Sequence, residues 1–378
     1  MKKTLIVSLE YPPQVGGIAT YVHQMANSLD PKKVVVWAPH YKDSEEWDKK
    51  QKYTVIRGNV YYPPFIWPRW LRLYFELKRV VKLEKIEVII VNHALPVGYV
   101  AMLINKFKKI PYLICSHGTD VTCGTKNKWK TKMVRMISNR SEQLIFNSES
   151  LKRRFLRVLP EFDSKSTILY PCPDPNLFTP PPAKEIEALR RQYALEGKKV
   201  ILSVSRITDG KGFPHLIRLL PEVMKKMPHL VWFIVGDGDK RKEMMGLIRK
   251  NNLQNVVRYI GEIPHEDVKK YYYLADLFVL LTHPDNGMEE GLGLVFLEAA
   301  AAGLPVVAGK SGGVPEAVLH TETGLVMDVR QSLPKIGASI VDLLKKEDYA
   351  KGLGKAAKAR IKSEFRWEYQ MKKLDKWL

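Results

Sequence analysis

Six prolines crowd into the twelve residues from Pro171 to Pro182, in the run Pro-Cys-Pro-Asp-Pro-Asn-Leu-Phe-Thr-Pro-Pro-Pro. Each fixes its own φ and lacks an amide donor, so the stretch can be neither helix nor central strand and must join two halves. On both sides of it, short β-branched runs alternate with stretches of helical period, the pattern of parallel strands covered by helices. Before the break, strands are predicted at Leu5–Leu9, Val34–Ala38, Val88–Asn92, Tyr112–Ser116 and Gln143–Asn147, with helices over Thr20–Leu29, Arg69–Lys85 and Val97–Lys106. After it, strands are predicted at Val200–Ser205, Val231–Val235, Val256–Ile260, Leu277–Leu281, Pro305–Ala308 and Leu325–Met327. The expected fold is α/β, with two doubly wound Rossmann-like domains facing each other across a cleft and ligands held at the carboxyl ends of the strands. The first domain is expected over 1–172, a proline-rich linker over 173–184 and the second domain over 185–362.

A chain of 378 residues with 45% hydrophobic and 27% charged content is large enough for two such domains and excludes disorder and disulfide scaffolds. Cys115, Cys123 and Cys172 are scattered without a Cys-x-x-Cys pair, which argues against structural zinc and fits a reducing cytoplasm. The longest near-apolar run, Leu292 to Gly309, is short and contains Glu298 and Pro305, so no spanning segment is expected. Met1-Lys2-Lys3 followed by Thr4–Leu9 has the look of a signal peptide, but the apolar stretch is too short and Glu10-Tyr-Pro-Pro replaces a cleavage site. It reads as a buried first strand.

The net charge of +21 is unevenly spread. Residues 1–172 carry 29 lysines and arginines against 14 acids, and the remainder 32 against 26, so the first half holds +15. Such a half attracts nucleic acid, an anionic membrane face or an anionic substrate. The charge concentrates in Arg69–Lys82 and Lys126–Arg135, both of helical period, with Trp70, Tyr74, Leu77 and Val81 forming an apolar stripe. This is either a solvated basic face over a packed stripe or a surface resting on anionic headgroups, with tryptophans near the interface. No nucleic-acid motif accompanies the charge, and nucleic acid is not expected as a partner.

The most specific constellation is Glu290-Gly-Leu-Gly-Leu-Val-Phe-Leu-Glu298, running into an alanine-rich helix that starts near Leu294. A helix start offers unpaired amides and partial positive charge, a seat for a diphosphate. Eight helical residues rise about 12 Å, so one carboxylate precedes the seat and the other lies a turn inside the helix. Carboxylates accept from vicinal hydroxyls. The spacing suits a nucleotide sugar, with Glu298 on the ribose and Glu290 on the donor sugar. In Ser203-Val-Ser-Arg206-Ile-Thr-Asp-Gly-Lys211, a strand ends, a guanidinium follows and a glycine-flanked lysine precedes the next helix, a second set of phosphate-gripping cations. Gly236-Asp237-Gly238-Asp239 contains the Asp-x-Asp spacing of some metal sites, but its position at a strand end reads as a tight turn by the nucleotide.

In the first half, Tyr11-Pro-Pro-Gln14-Val-Gly16-Gly17 follows the first strand, and its glycines would admit an anionic ligand close to the backbone. It is not Gly-x-Gly-x-x-Gly, which argues against a nicotinamide enzyme. Ser116-His117-Gly118-Thr-Asp120 follows another strand and is expected to point into the same cleft. Tyr11, Gln14, His117 and Asp120 form the expected acceptor side.

These motifs, in this order, resemble the family-four retaining glycosyltransferases, which have the GT-B fold. The resemblance runs through Gly16-Gly17, His117-Gly118, Arg206, Lys211, Gly236-Asp-Gly, Glu290-x7-Glu298 and Ser311-Gly-Gly-Val-Pro-Glu316. Its finer look, carried by Glu-Tyr-Pro-Pro and the Glu290–Glu316 stretch, is to phosphatidylinositol mannosyltransferases that use GDP-mannose. The resemblance implies a retaining, metal-independent hexosyl transfer without cofactor, with His117, Arg206, Lys211 and Glu290 at the reaction. It implies a donor set of Gly16, Gly17, Arg206, Lys211, Gly236, Asp237, Ile263, Glu290, Gly293, Leu294, Val295 and Glu298. It also implies that a helix at 363–378 crosses back to the first domain, and a lipid-linked or glycan acceptor reached from the cytoplasmic membrane face. The chain departs from the family at Tyr170-Pro-Cys-Pro-Asp-Pro, where an Asn-Gly-Val-Asp type of turn is usual, and residues 40–70 match no family feature. A UDP-sugar donor, a GT-B nucleotide-sugar epimerase and a catalytically idle binding module are the alternatives.

Overall fold

Continuous runs of valine, isoleucine and leucine form strands where both faces of a parallel sheet are covered. The computed structural model describes every residue except Ser332 and the side chains of Thr119, Asp120 and His265. It contains two such sheets. The first comprises β1 (Thr4–Val7), β2 (Val34–Pro39), β3 (Thr54–Gly58), β4 (Val88–Val91), β5 (Tyr112–Ser116), β6 (Gln143–Phe146) and β7 (Ser166–Ile168). The second comprises β8 (Lys199–Val204), β9 (Leu230–Val235), β10 (Val257–Gly261), β11 (Leu277–Leu280), β12 (Val306–Gly309) and β13 (Leu325–Met327). Their orders are β3-β2-β1-β4-β5-β6-β7 and β10-β9-β8-β11-β12-β13. All pairings are parallel, for example Thr4 beside both Val34 and Val88. Each is a doubly wound sheet whose order reverses next to its first strand, between β1 and β4 and between β8 and β11.

The chain divides into two compact units, Met1–Cys172 with Trp367–Leu378, and Pro173–Arg366. Residues 173–184 belong to the second unit and are held in place. Asp174 caps a 3-10 turn at Pro175–Phe178 by accepting from the Asn176 amide at 2.8 Å, Leu177 is buried, and a helix begins at Ala183. Residues 363–364 end the long helix Glu347–Glu364 of that unit. The returning segment starts at Trp367, whose indole donates to Gln24 at 3.1 Å and meets Tyr21 edge-on at 5.2 Å.

In the helix Leu71–Leu83, Leu77 and Val81 are buried, and Trp70 and Tyr74 pack against the same core. Trp70 lies edge-on to Tyr99 at 5.0 Å, so its ring serves the interior of the unit rather than an interface. The most exposed aromatics lie elsewhere, Phe65 at 85% and Trp67 at 84% in the preceding loop and Trp129 at 66% on the basic helix Lys128–Arg140, while Phe75 of the helix Leu71–Leu83 is half-exposed. Among the described residues no helix is long and apolar enough to cross a membrane.

Candidate functional site

The loops after β8 and β11 flank the reversal point of the second sheet, and the sequence puts its cations on one and its carboxylate on the other. Lys211 Nζ meets Glu290 Oε2 at 2.6 Å, both side chains largely covered. The two loops are also joined through the backbone, the His283 amide donating to the Gly210 carbonyl at 2.9 Å. Arg206, at the end of β8, is exposed and has no acidic partner among the described residues.

Glu290 is fixed from behind by the Ser311-Gly312-Gly313 turn. Its amide donates to Ser311 Oγ at 3.1 Å, and its carbonyl accepts from the Gly313 amide at 3.1 Å. Gly312 has φ 47°, and a Cβ there would run into the Glu290 carbonyl oxygen. The motif that follows β12 thus exists to hold the carboxylate loop. Gly236 plays the matching part for the arginine: it packs on the Ser205 carbonyl closely enough to leave no room for a side chain. The Ile207 amide donates to the Asp237 carbonyl at 2.9 Å, which ties the turn to the segment carrying Arg206. Asp237 itself is engaged, accepting from Arg241 at 2.9 Å and from the Gly238 amide at 2.7 Å. No cluster of three metal-binding side chains occurs among the described residues. Ile263, partly exposed, lies two residues past Gly261, whose carbonyl accepts from the Gly236 amide at 2.7 Å.

The helix Leu294–Ala302 starts where the sequence places it, after Gly293. Leu294 and Val295 supply its first two amides, positions that have no acceptor within a helix. Glu298 is its fifth residue and is 3% exposed. It does not lie open to solvent: its Oε2 accepts from the Tyr272 hydroxyl at 2.7 Å. Tyr272 was not legible as a site residue, because Tyr271-Tyr272-Tyr273 carries no pattern beyond a half-buried helix.

In the first unit, Gly16 is the N-cap of the helix Gly17–Asn27, at the carboxyl end of β1. Tyr11, expected on the acceptor side, is 1% exposed and supports this loop from within. Its hydroxyl lies 2.6 Å from that of Tyr53, and the Arg57 guanidinium sits over its ring at 5.2 Å. Burial, helped by Tyr53, holds the Tyr11 phenol far above its ordinary range. Arg57 also donates to the Pro12 carbonyl at 2.5 Å and pairs with Asp48 at 2.7 Å. Asp48, Tyr53 and Arg57 therefore brace the loop that leads to Gly16. Gln14 is partly exposed beside it.

His117 follows β5 and is packed by Tyr21 at 5.0 Å and His93 at 6.0 Å, with part of its edge reaching solvent. Its Nε2 lies 3.0 Å from Asn92 Oδ1. Burial first, and the neighbouring His93 second, push its pKa down to about 3, so the ring is neutral at physiological pH. The side chain of Asp120 lies outside the described residues.

Two family models match the chain: Glycosyltransferase Family 4 over residues 15–177 and Glycosyl transferases group 1 over 185–360. The GDP-mannose-dependent alpha-(1-6)-phosphatidylinositol monomannoside mannosyltransferase of Mycobacterium tuberculosis is 28% identical over 384 residues, covering 99% of this chain and 97% of that protein. The N-acetyl-alpha-D-glucosaminyl L-malate synthase of Bacillus anthracis is 23% identical, covering 83% and 79%. Anabaena HepE, solved in complex with UDP-glucose, superposes with a TM-score of 0.83 at 19% identity, covering 98% of each chain.

Proposed function

The chain belongs to glycosyltransferase family 4, and from that premise we propose that it moves a hexose from a nucleoside diphosphate to an acceptor hydroxyl with retention of configuration. The observation that carries this reading is the Lys211–Glu290 pair at the reversal point of the second sheet, beside Arg206 and the start of the Leu294–Ala302 helix. Cations suited to gripping an anion and a carboxylate suited to aligning a sugar, paired at Lys211 and Glu290, support it.

The bond from the anomeric carbon to the diphosphate oxygen breaks, and the bond to the acceptor oxygen forms on the same face. The acceptor proton passes to the departing phosphate oxygen, so no enzymic nucleophile and no metal ion are needed. Arg206, Lys211 and the amides of Leu294 and Val295 stabilise charge that grows on the leaving group, the kind of term that contributes most to catalysis. Glu290 aligns the sugar, and Glu298 receives the ribose hydroxyls. Because a diphosphate is more negative than one carboxylate, it can draw on Lys211 while Glu290 turns to the sugar. Neutral His117 belongs to the acceptor side.

Mannose from GDP-mannose is the preferred donor, supported by the mycobacterial relative that spans nearly the whole chain. The acceptor is lipid-linked and reached at the cytoplasmic membrane face. Supporting this are the basic first half and the exposed Phe65 and Trp67 beside Arg69. The deciding experiment is a panel of nucleotide sugars, read by thermal shift and donor hydrolysis. GDP-mannose should raise the melting temperature most and be hydrolysed most rapidly. A response to UDP-sugars alone would replace mannose by a UDP-linked hexose, and no response to any donor would overturn the reading.

A further inference from the structure

We infer that Tyr272 is a positioning residue that aims the Glu298 carboxylate at the donor ribose, an inference that rests on the ribose role proposed for Glu298. Tyr272 lies in the helix His265–Leu274, and its hydroxyl donates to Glu298 Oε2 at 2.7 Å. The two residues are 1% and 3% exposed. The same hydroxyl stands 3.5 Å from the Val295 carbonyl, in the first turn of the helix that bears Glu298. It therefore touches both the carboxylate and the first turn of the helix that carries it.

The tyrosine ring is itself fixed. It packs on Phe278 at 5.9 Å, which in turn meets Phe296 edge-on at 5.8 Å. The next residue, Tyr273, donates to the Leu177 carbonyl at 2.8 Å and pins the helix from the other side. On its own helix Glu298 stands among buried Leu297, Ala299, Ala300 and Ala301, whose side chains carry no polar hydrogen. A carboxylate in such surroundings is costly to bury without a donor, and a hydrogen bond to a charged oxygen is of the stronger kind. Burial first, and the Glu298 charge second, hold the Tyr272 phenol well above its usual range, so it remains a donor at any working pH. A carboxylate has roughly four acceptor positions. One tyrosine proton fixes the direction of one oxygen.

Tyr272→Phe keeps the ring and its packing and removes only the proton. The measurement is calorimetric affinity of wild type and variant for GDP and 2′,3′-dideoxy-GDP, with UDP and its dideoxy form in parallel. Wild type should prefer the ribonucleotide by about tenfold or more, the scale of hydrogen bonds to a charged group. The variant should lose most of that preference while its affinity for the dideoxy form stays within about twofold, since the phosphate grip of Arg206 and Lys211 is untouched. A variant that keeps the full preference, or that weakens equally toward both nucleotides, overturns the positioning role. A wild type that binds both forms equally overturns the ribose role of Glu298, and one that binds neither overturns the donor site itself. If Tyr272→Phe melts too early to measure, Glu298→Gln must abolish the same preference, and its retention counts against the inference.

Discussion

Asn92 Oδ1 accepts from His117 Nε2 at 3.0 Å, while Asn92 Nδ2 donates to the Val7 carbonyl at 3.3 Å. The amide must turn its nitrogen to the carbonyl, which leaves its oxygen for the histidine and fixes the proton on Nε2. Asn92 is fully buried at the end of β4, and His117 follows the neighbouring strand, so the tautomer is set by the sheet.

His117 should stay neutral through the working range, since its pKa is pushed down to about 3. The unfolded chain takes up this proton near pH 6.5 and the folded chain only near 3. The stabilising contribution is thus complete above about 6.5 and is lost as pH falls toward 3. Histidine resonances followed by NMR should show one ring that does not titrate between pH 5 and 8. Urea melts should show that His117→Gln removes part of the acid-side loss of stability. A ring titrating near 6.5 contradicts the packing argument.

Lys211→Ala should lower kcat by about 10² to 10³, more than it weakens donor binding, if the lysine meets charge that develops as the donor bond breaks, as proposed. Glu290→Gln should lower kcat as well, with the nucleoside diphosphate still bound. Steady-state kinetics with varied donor separates the two effects. A Lys211→Ala enzyme with intact kcat and raised KM would make the lysine a uniform binder.

Gly312→Ala tests the support of the carboxylate loop without replacing any residue assigned to the site. The added Cβ runs into the Glu290 carbonyl at a φ that favours glycine. Stability should fall by about 1–3 kcal/mol. Activity should fall further than Gly246→Ala lowers it, where an added Cβ meets nothing within 4 Å. Thermal melts and donor hydrolysis on both variants make the comparison.

Phe65→Ser and Trp67→Ser should each reduce binding to vesicles containing anionic lipid by about tenfold, the scale of one large apolar side chain leaving the interface. Trp70→Phe should leave vesicle binding near wild type, because that ring packs against Tyr99. Co-sedimentation at low and high salt is the measurement, and binding should weaken with salt as the basic residues are screened. Equal recovery with neutral and anionic vesicles would remove the electrostatic part of the reading.

Much of the fold was legible because both sheets are built from continuous apolar runs, which the sequence displays directly. The strands that escaped notice, β3 and β7, are edge strands with partly exposed residues, Thr54-Val-Ile-Arg-Gly and the three-residue Ser166-Thr-Ile. They have one neighbour each and need no strong hydrophobic signal. The helix start at Leu294 was legible from glycine chemistry alone. What pairing the site would contain was not. Lys211 and Glu290 are 79 positions apart, and only the reversal of strand order brings their loops together. The periodicity around Trp70 correctly marked an apolar stripe. It could not tell that the two most exposed aromatics, Phe65 and Trp67, sit in the proline-rich loop just before it, where no period exists.

Trp367 packs on Tyr21 and bonds Gln24, 343 residues before it in the chain. Inheritance of the two units by recombination is constrained accordingly. A chimera that takes Pro173–Arg366 from a relative must still draw the segment from Trp367 onward from the parent of its amino-terminal unit. A crossover placed only at the proline run would graft a foreign wedge against Tyr21, so exchange of the second unit requires two junctions.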